Sequence, residues 1–475
     1  MSSTTPATPP ITAEGHSAGQ PTDVPPPSPP RKLSVRTTVA AGFGTVIEWY
    51  DYGLYGIVAG LVIAPLYFPQ ATGAVGLLAT FATFAVGFAA RPIGGIVLGA
   101  LADRWGRRPV LILSIVLIGI STTLIGLLPP FAVIGVWAPA LLVVLRITQG
   151  FGAGAELAGA ITILNESAMR SRKGYFSAFA MSAGLAGSIL STVLFTIISA
   201  SVSADAFSSW GWRIPFLLSA VLTVIGLLLR RVMPESPEFE QVQEDRKNGL
   251  VAPARRNPLV AVGRAIKASP RNWIAGFLLP SGLNVTGFVA LSFGISYLTN
   301  QIGLQRPQTL TVTLVMLVVG ALVCLLFGRL ADRIGAKKVM YIGIVGGIVF
   351  AYPYFLLLGT GNFPVIIVAS ALIFAFAWSA GSAAHTVLMP ALFKADYRSA
   401  GLFSSRELQG ALIAGPAPLI ATALVAALGG QPWLVVALIV VSQVLSLIGL
   451  VLGRPFVSQS EIDETPALQG VRARS

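Results

Sequence analysis

Charge and sulfur are both scarce in this 475-residue chain. Asp, Glu, Lys and Arg together make up 11% of it, less than half their usual share in a soluble domain. Hydrophobic residues reach 54% and the mean hydropathy is +0.78. Such a chain cannot keep its surface in water and is expected to cross a membrane many times. The single cysteine, Cys324, excludes an intramolecular disulfide and a multi-cysteine metal site; it reads as a small apolar residue inside a helix. Two histidines leave little for a metal centre. No Gly-x4-Gly-Lys-Ser/Thr phrase occurs, which argues against ATP as an energy source. No Cys-His, Ser-His or metal-spaced cluster points to a membrane enzyme or receptor. Catalytic residues, cofactors and metals are therefore not expected.

What the chain has is length in apolar runs. Twelve spans stand out, at 38–62, 73–100, 109–128, 137–166, 174–199, 212–232, 272–298, 308–328, 338–358, 364–390, 399–427 and 433–453. Each reaches the roughly 20 residues that cross a bilayer core. The net charge of +13 could suggest nucleic acid, but its distribution argues otherwise. Lys and Arg fall in the loops at 101–108, 167–173, 233–271, 329–337 and 391–398 and in both tails. The alternate loops hold one basic residue, Arg306. The positive-inside rule then puts both termini in the cytoplasm of a multi-pass protein in a plasma (bacterial inner) membrane.

Residues 1–30 carry nine prolines among Ser, Thr and Gly and lack an apolar h-region, so 1–35 reads as a disordered tail and not a signal peptide. The tail at 456–475 has no heptad pattern, and a monomer is expected.

One phrase is written twice. Gly99-Ala-Leu-Ala-Asp103-Arg104-Trp-Gly106-Arg107-Arg108 recurs as Gly328-Arg-Leu-Ala-Asp332-Arg333-Ile-Gly335-Ala-Lys337-Lys338. Each copy follows the second span of a six-span set, so the chain reads as two related halves, 36–232 and 272–455, joined by a polar loop at 233–271. Within that loop, Pro234-Glu235-Ser236-Pro237-Glu238-Phe239 stops span 6 and starts a short amphipathic helix. Two bundles rocking about a midplane site are the architecture of alternating access.

The doubled phrase resembles the signature of the major facilitator superfamily. Gly44-Thr-Val-Ile-Glu48-Trp49-Tyr50-Asp51-Tyr52-Gly53-Leu-Tyr55-Gly56 is similar to the first-helix signature of its metabolite:proton symporter branch, which holds transporters of shikimate, 2-oxoglutarate, citrate and proline/betaine. Arg91-Pro92-Ile-Gly94-Gly95, Arg146-Ile-Thr-Gln149-Gly150-Phe-Gly152-Ala-Gly154-Ala-Glu156 and Trp212-Arg213-Ile-Pro215-Phe216 agree. The resemblance implies an all-α membrane protein of twelve transmembrane helices in two six-helix pseudo-symmetric bundles. It also implies import of a small organic metabolite with protons; the arginines and His385 suggest an organic acid, such as a di- or tricarboxylate or a hydroxylated cyclic acid. Proton-driven efflux is the alternative, but Met181-Ser-Ala-Gly184-Leu-Ala-Gly187 in span 5 lacks the Gly-Pro pair of drug antiporters. A zwitterionic compatible solute is a further alternative, although the sensory helix of osmotically gated relatives is missing.

Ionisable residues inside spans are expensive and normally face a cavity or a partner. Glu48 and Asp51 lie near the middle of span 1, with Tyr52 and Tyr55 on the same helical face. Two carboxylates so close in low dielectric do not both ionise easily, which suits a proton-coupling site; a structural pair satisfied by backbone and an arginine is the other reading. Arg146 in span 4 can clamp a carboxylate of the substrate or of span 1, with Gln149 on its face, and the resemblance implies a role in proton transfer. Glu156 matches the branch pattern, but Leu157 follows where relatives often carry an aromatic residue. Arg91, in a Pro-Gly-Gly context, either snorkels or pairs with a span 1 carboxylate, and reads as structural. His385 in span 10 either relays protons or binds an anion, or is a neutral histidine bonded between helices. Arg406 and Glu407 in span 11 are neighbours that do not pair face to face, and they depart from the branch pattern. Asp103 and Asp332 can cap the start of a helix from the other half. Arg104, Arg107, Arg108, Arg333, Lys337 and Lys338 either pair across halves, anchor to lipid phosphates or only set topology. A small-molecule substrate, protons and the lipid bilayer are the expected partners; nucleic acid is not.

Overall fold

The computed structural model describes residues 35–71, 73–167, 172–231, 258–394, 397–456 and 465–468. Every regular element among them is helical. Ten helices are long and apolar enough to cross a membrane, and the first span adds an eleventh, bent by 50° between Phe43–Val58 and Leu61–Tyr67. The 31-residue helix Trp137–Ser167, which carries Arg146, completes twelve.

Most spans begin and end within two residues of the apolar runs in the sequence. Span 1 is helical over Val35–Tyr67, longer at both ends, and the helices of spans 2 and 8 run on through the charged phrases, over Ala74–Trp105 and Arg306–Ile334. At 1.5 Å per residue, 32 residues extend about 48 Å, well beyond a hydrocarbon core. What stops both helices is a glycine: Gly106 has φ 99° and Gly335 φ 92°, a left-handed backbone that residues with a Cβ avoid. The two glycines of the phrase therefore do the same local job in both copies.

The other pair of glycines does not. A Cβ on Gly328 would sit 2.4 Å from the Ala178 Cβ and 2.8 Å from the Gly174 carbonyl oxygen, whereas one on Gly99 meets nothing within 4 Å. Gly328 thus permits spans 5 and 8 to touch backbone to backbone. We expect Gly99→Ala to transport like wild type and Gly328→Ala to lose uptake severalfold, since overpacking such a crossing costs about 1–3 kcal/mol. Equal uptake by the two variants would refute this.

Several spans are interrupted by single π-helical turns: Ala59–Ile63 in span 1, Val289–Phe293 in span 7, Phe374–Ser379 in span 10 and Gly410–Ala414 in span 11. Each shifts the helical register and re-aims the residues beyond it. The seam between spans 5 and 8 is tied along its length. Asp332 bonds the start of span 5 and Ser182 Oγ donates to the Ala321 carbonyl at 2.8 Å; beyond the end of span 5, Arg306 lies over the ring of Phe207, which precedes span 6, at 4.2 Å. An amphipathic surface helix, Pro258–Ala268, precedes span 7. The expected helix at 235–239 lies outside the described residues.

Candidate functional site

Spans 2 and 4 cross closely enough to bring their arginines against span 1. Cβ atoms on Gly150 and Gly154 would fall 1.9 Å from the Gly87 carbonyl oxygen and 2.2 Å from that of Arg91, so only glycine allows this approach. The result is two buried carboxylates on one helix, each held by a different arginine.

Glu48 and Asp51 are 3% and 4% exposed. Asp51 accepts from Thr122 Oγ1 at 2.8 Å and from Gln149 Nε2, and lies 3.7 Å from Arg146 Nη1. Arg146 also donates to Gln149 Oε1 and stacks 3.9 Å over the Tyr55 ring, whose hydroxyl bonds Thr83. Arg146 Nε is buried with no hydrogen-bond partner. Glu48 turns the other way. Its Oε1 accepts from Arg91 Nη1 at 2.8 Å and from Tyr52 at 3.1 Å, while Oε2 is buried with no partner. A void of about 10 Å³ touches Glu48, Asp51, Arg91, Arg146 and Gln149, room for about one water.

Arg91 reaches across the molecule. Its Nε donates to Glu407 Oε2 of span 11 at 2.8 Å, with Nη2 3.5 Å from Oε1. Arg406 lies 4.0 Å from Glu407. His385 is buried, with Nδ1 3.0 Å from the Ser382 carbonyl oxygen of its own helix. An aromatic layer covers the charges. Phe288 of span 7 packs edge-on to Tyr52, Phe84 and Phe88 at 6.3, 5.7 and 5.1 Å. A cleft of about 660 Å³ opens between the ends of spans 1, 2, 7 and 11 remote from the charged phrases, with Leu61, Phe68, Ser296, Tyr297, Asn300 and Thr422 in its wall.

At the opposite end, spans 5 and 8 are tied together. Asp332 accepts from the backbone N–H groups of Gly174 and Tyr175 at 2.7 and 2.9 Å, at the start of span 5, where a carboxylate meets the positive end of the helix dipole. Arg329, within the same phrase, lies 5.0 Å over the Tyr175 ring. Arg333 is exposed, and Arg108 donates to the Arg231 carbonyl at 2.5 Å within its own half. The side chains of Asp103, Arg104, Arg107 and Glu156 lie outside the described residues. Losing a carboxylate cap costs about 1–2 kcal/mol, a factor of about 5–30 in a two-state ratio. In a Cys324→Ser background with a cysteine placed at Ser182, we expect Asp332→Asn to speed thiol labelling by at least the lower figure. Unchanged labelling would rule out a latch at Asp332.

Sequence reasoning singled out Glu48, Asp51, Arg146 and Gln149, and the fold gathers all four around one void. It allowed Arg91 a carboxylate of span 1, which is Glu48, but missed the reach of Arg91 to Glu407, and it missed Thr122 and Phe288 altogether. An arginine inside a span was a signal, but nothing in the local pattern named a partner 316 positions away.

Twelve helical spans, a charged phrase written twice and buried ion pairs between spans point to a membrane transporter. The chain belongs to the major facilitator superfamily, whose description matches residues 41–415; it is a multi-pass membrane transporter and not an enzyme. Among curated relatives, it is 37% identical over 399 residues to the shikimate transporter of Escherichia coli, covering 83% of this chain and 89% of that one. It is 35% identical over 402 residues to the ectoine/proline transporter ProP of Corynebacterium glutamicum, covering 82% and 78%. Among solved structures, the xylose transporter XylE of E. coli in a partially occluded inward-open conformation superposes with a TM-score of 0.67 at 17% identity, over 88% of this chain and 96% of that one. The last similarity speaks to fold alone.

Proposed function

We propose that this protein is a proton-coupled symporter that brings a small organic acid into the cell by alternating access. It works as a monomer in the plasma membrane with both termini cytoplasmic, and its bundles, 36–232 and 272–455, rock about the midplane. The observation that carries the reading is the pair of buried carboxylates on span 1, each bound to an arginine from another span. Buried charge at that depth is costly and is retained where protons or ions move. Glu48 offers an unpartnered oxygen beside a water-sized void, which suits a group that takes up and gives back a proton.

The similarity to a shikimate transporter supports an organic acid. The similarity to an ectoine/proline transporter supports a second reading, a zwitterionic solute. Purified protein in proteoliposomes decides the first point. Uptake of labelled shikimate is expected to rise when the outside is made acid and to stop when a protonophore collapses the gradient. Uptake indifferent to the gradient rejects proton coupling, and accumulation of proline but not of shikimate selects the zwitterion.

A further inference from the structure

The buried charges between spans 1, 2 and 11 alternate in sign along a single line: Glu48, Arg91, Glu407, Arg406. The first two contacts are 2.8 Å each and the third is 4.0 Å. We propose that this line is one charge chain across the seam between the halves, in which Glu48 receives the proton at one end and Arg406 receives the carboxylate of the transported anion at the other. The proposal rests on the proton-symport reading and adds to it an anion site and the reason the two ligands travel together.

Both ends of the chain have capacity to spare. At the acid end, Glu48 Oε2 has no partner. At the cationic end, Arg406 makes no hydrogen bond among the described residues and has only its long contact with Glu407. Its side chain is 22% exposed, against 3–6% for the other three, so it is the member a ligand can reach. One turn further along the same face of span 11 is Gln409, fully buried. Its Oε1 accepts from Asn284 at 2.8 Å, and its Nε2 is an unpartnered buried donor. A guanidinium one helical turn from an unpartnered amide N–H, on a helix that passes into a π turn at Gly410–Ala414, offers two sets of donors. That chemistry selects a carboxylate.

Charge balance supplies the coupling. Two carboxylates and two guanidinium groups sum to zero. The neighbouring Asp51–Arg146 pair is balanced separately, Tyr52 is neutral, and His385 of span 10 is within electrostatic reach of Arg406. A proton on Glu48 leaves one positive charge in excess in a low-dielectric interior, where unbalanced charge is expensive. It also frees Arg91 to bind Glu407 alone, which loosens the hold of Glu407 on Arg406. A monocarboxylate at Arg406 restores neutrality, so proton and anion each bind more tightly in the presence of the other, and by the same factor. A zwitterion leaves the excess charge in place and gains no such help.

The test uses the full-length protein in detergent, with shikimate, benzoate and acetate as probes, uncharged methyl shikimate as control and proline as the zwitterion. Affinity is read from ligand-dependent thermal stabilisation, and proton uptake from a pH indicator in weak buffer. Shikimate is expected to stabilise the wild type and to draw in about one proton per ligand bound. Arg406→Gln should weaken carboxylate binding by more than about tenfold, as loss of a charge-assisted hydrogen bond requires, and Arg406→Lys should recover part of it. Methyl shikimate should not distinguish these three proteins. Glu48→Gln should bind shikimate with no proton uptake. The proposal is overturned if no carboxylate stabilises the wild type, if Arg406→Gln keeps its affinity, or if wild-type binding moves no proton. Should the wild type show carboxylate binding at Arg406 but no gradient-driven uptake in liposomes, the symport reading fails and the anion site stands. Gradient-driven uptake with an indifferent Arg406→Gln removes the anion site alone.

Discussion

Glu48→Gln is expected to abolish accumulation of substrate against its gradient while leaving exchange of substrate across the membrane intact. One pH unit is worth about 1.36 kcal/mol per proton, so a carrier that moves one proton with each substrate can sustain about a tenfold concentration ratio at a difference of one unit. Glutamine fills the same volume and keeps an oxygen to accept from Arg91 and Tyr52, whose bonds to Glu48 Oε1 are 2.8 and 3.1 Å. The site should therefore assemble, bind and rock, but it has no group left to carry the proton. In proteoliposomes the accumulation ratio should fall from about ten to one, with counterflow of preloaded substrate still measurable. Accumulation persisting near the wild-type ratio would remove Glu48 from the proton pathway and leave Asp51 as the remaining span 1 candidate.

The second large effect is on stability. Arg91 is the only cation within hydrogen-bonding distance of both Glu48 and Glu407 among the described residues, and all three are buried. Arg91→Met strands two carboxylates at once. Removing one partner of a buried ion pair costs about 3–5 kcal/mol, because the other charge stays behind unmatched. We expect thermal unfolding of purified Arg91→Met to begin well below that of the wild type. The triple variant Arg91→Met, Glu48→Gln, Glu407→Gln should recover most of the loss, since no buried carboxylate is then left unpaired and Arg406, 22% exposed, gives up only a 4.0 Å contact; it should still be unable to accumulate substrate. A single variant as stable as the wild type would mean the contacts between Arg91 and the two glutamates do not persist in solution. A triple variant no more stable than the single one would place the loss in packing against Tyr52 and Phe88, whose rings lie 5.7 and 5.5 Å from the Arg91 guanidinium.

Much of the fold could be read in the chain before folding. A bilayer fixes how long an apolar helix must be, so run length alone located the spans, and the doubled phrase displayed the repeat. The exceptions are instructive. Spans 2 and 8 outrun their apolar stretches because a helix needs hydrogen bonds, not hydrophobicity, to continue, and it ends only where Gly106 and Gly335 take up positive φ. The π turns in spans 1, 7, 10 and 11 carry no sequence signal as clear as a proline. They answer to packing against neighbouring helices, which a local pattern does not record.

The same division runs through the site. The cost of burying charge marked Glu48, Asp51, Arg146, His385, Arg406 and Glu407 as residues that need a reason, and that cost is a property of each side chain by itself. Which acid meets which base is a different kind of fact. Glu48 and Asp51 are three residues apart, yet one joins Arg91 and the other Arg146, because spans 2 and 4 each bring one arginine to span 1. Arg406 and Glu407 are adjacent, yet Glu407 reaches Arg91 from the other half. Sequence alone determined that this is a twelve-span membrane protein of two related halves with ionisable groups buried at mid-depth. Only the tertiary structure decided the pairing of those groups across the seam, because pairing depends on the crossing of helices distant in the chain, and helical periodicity carries no information about that.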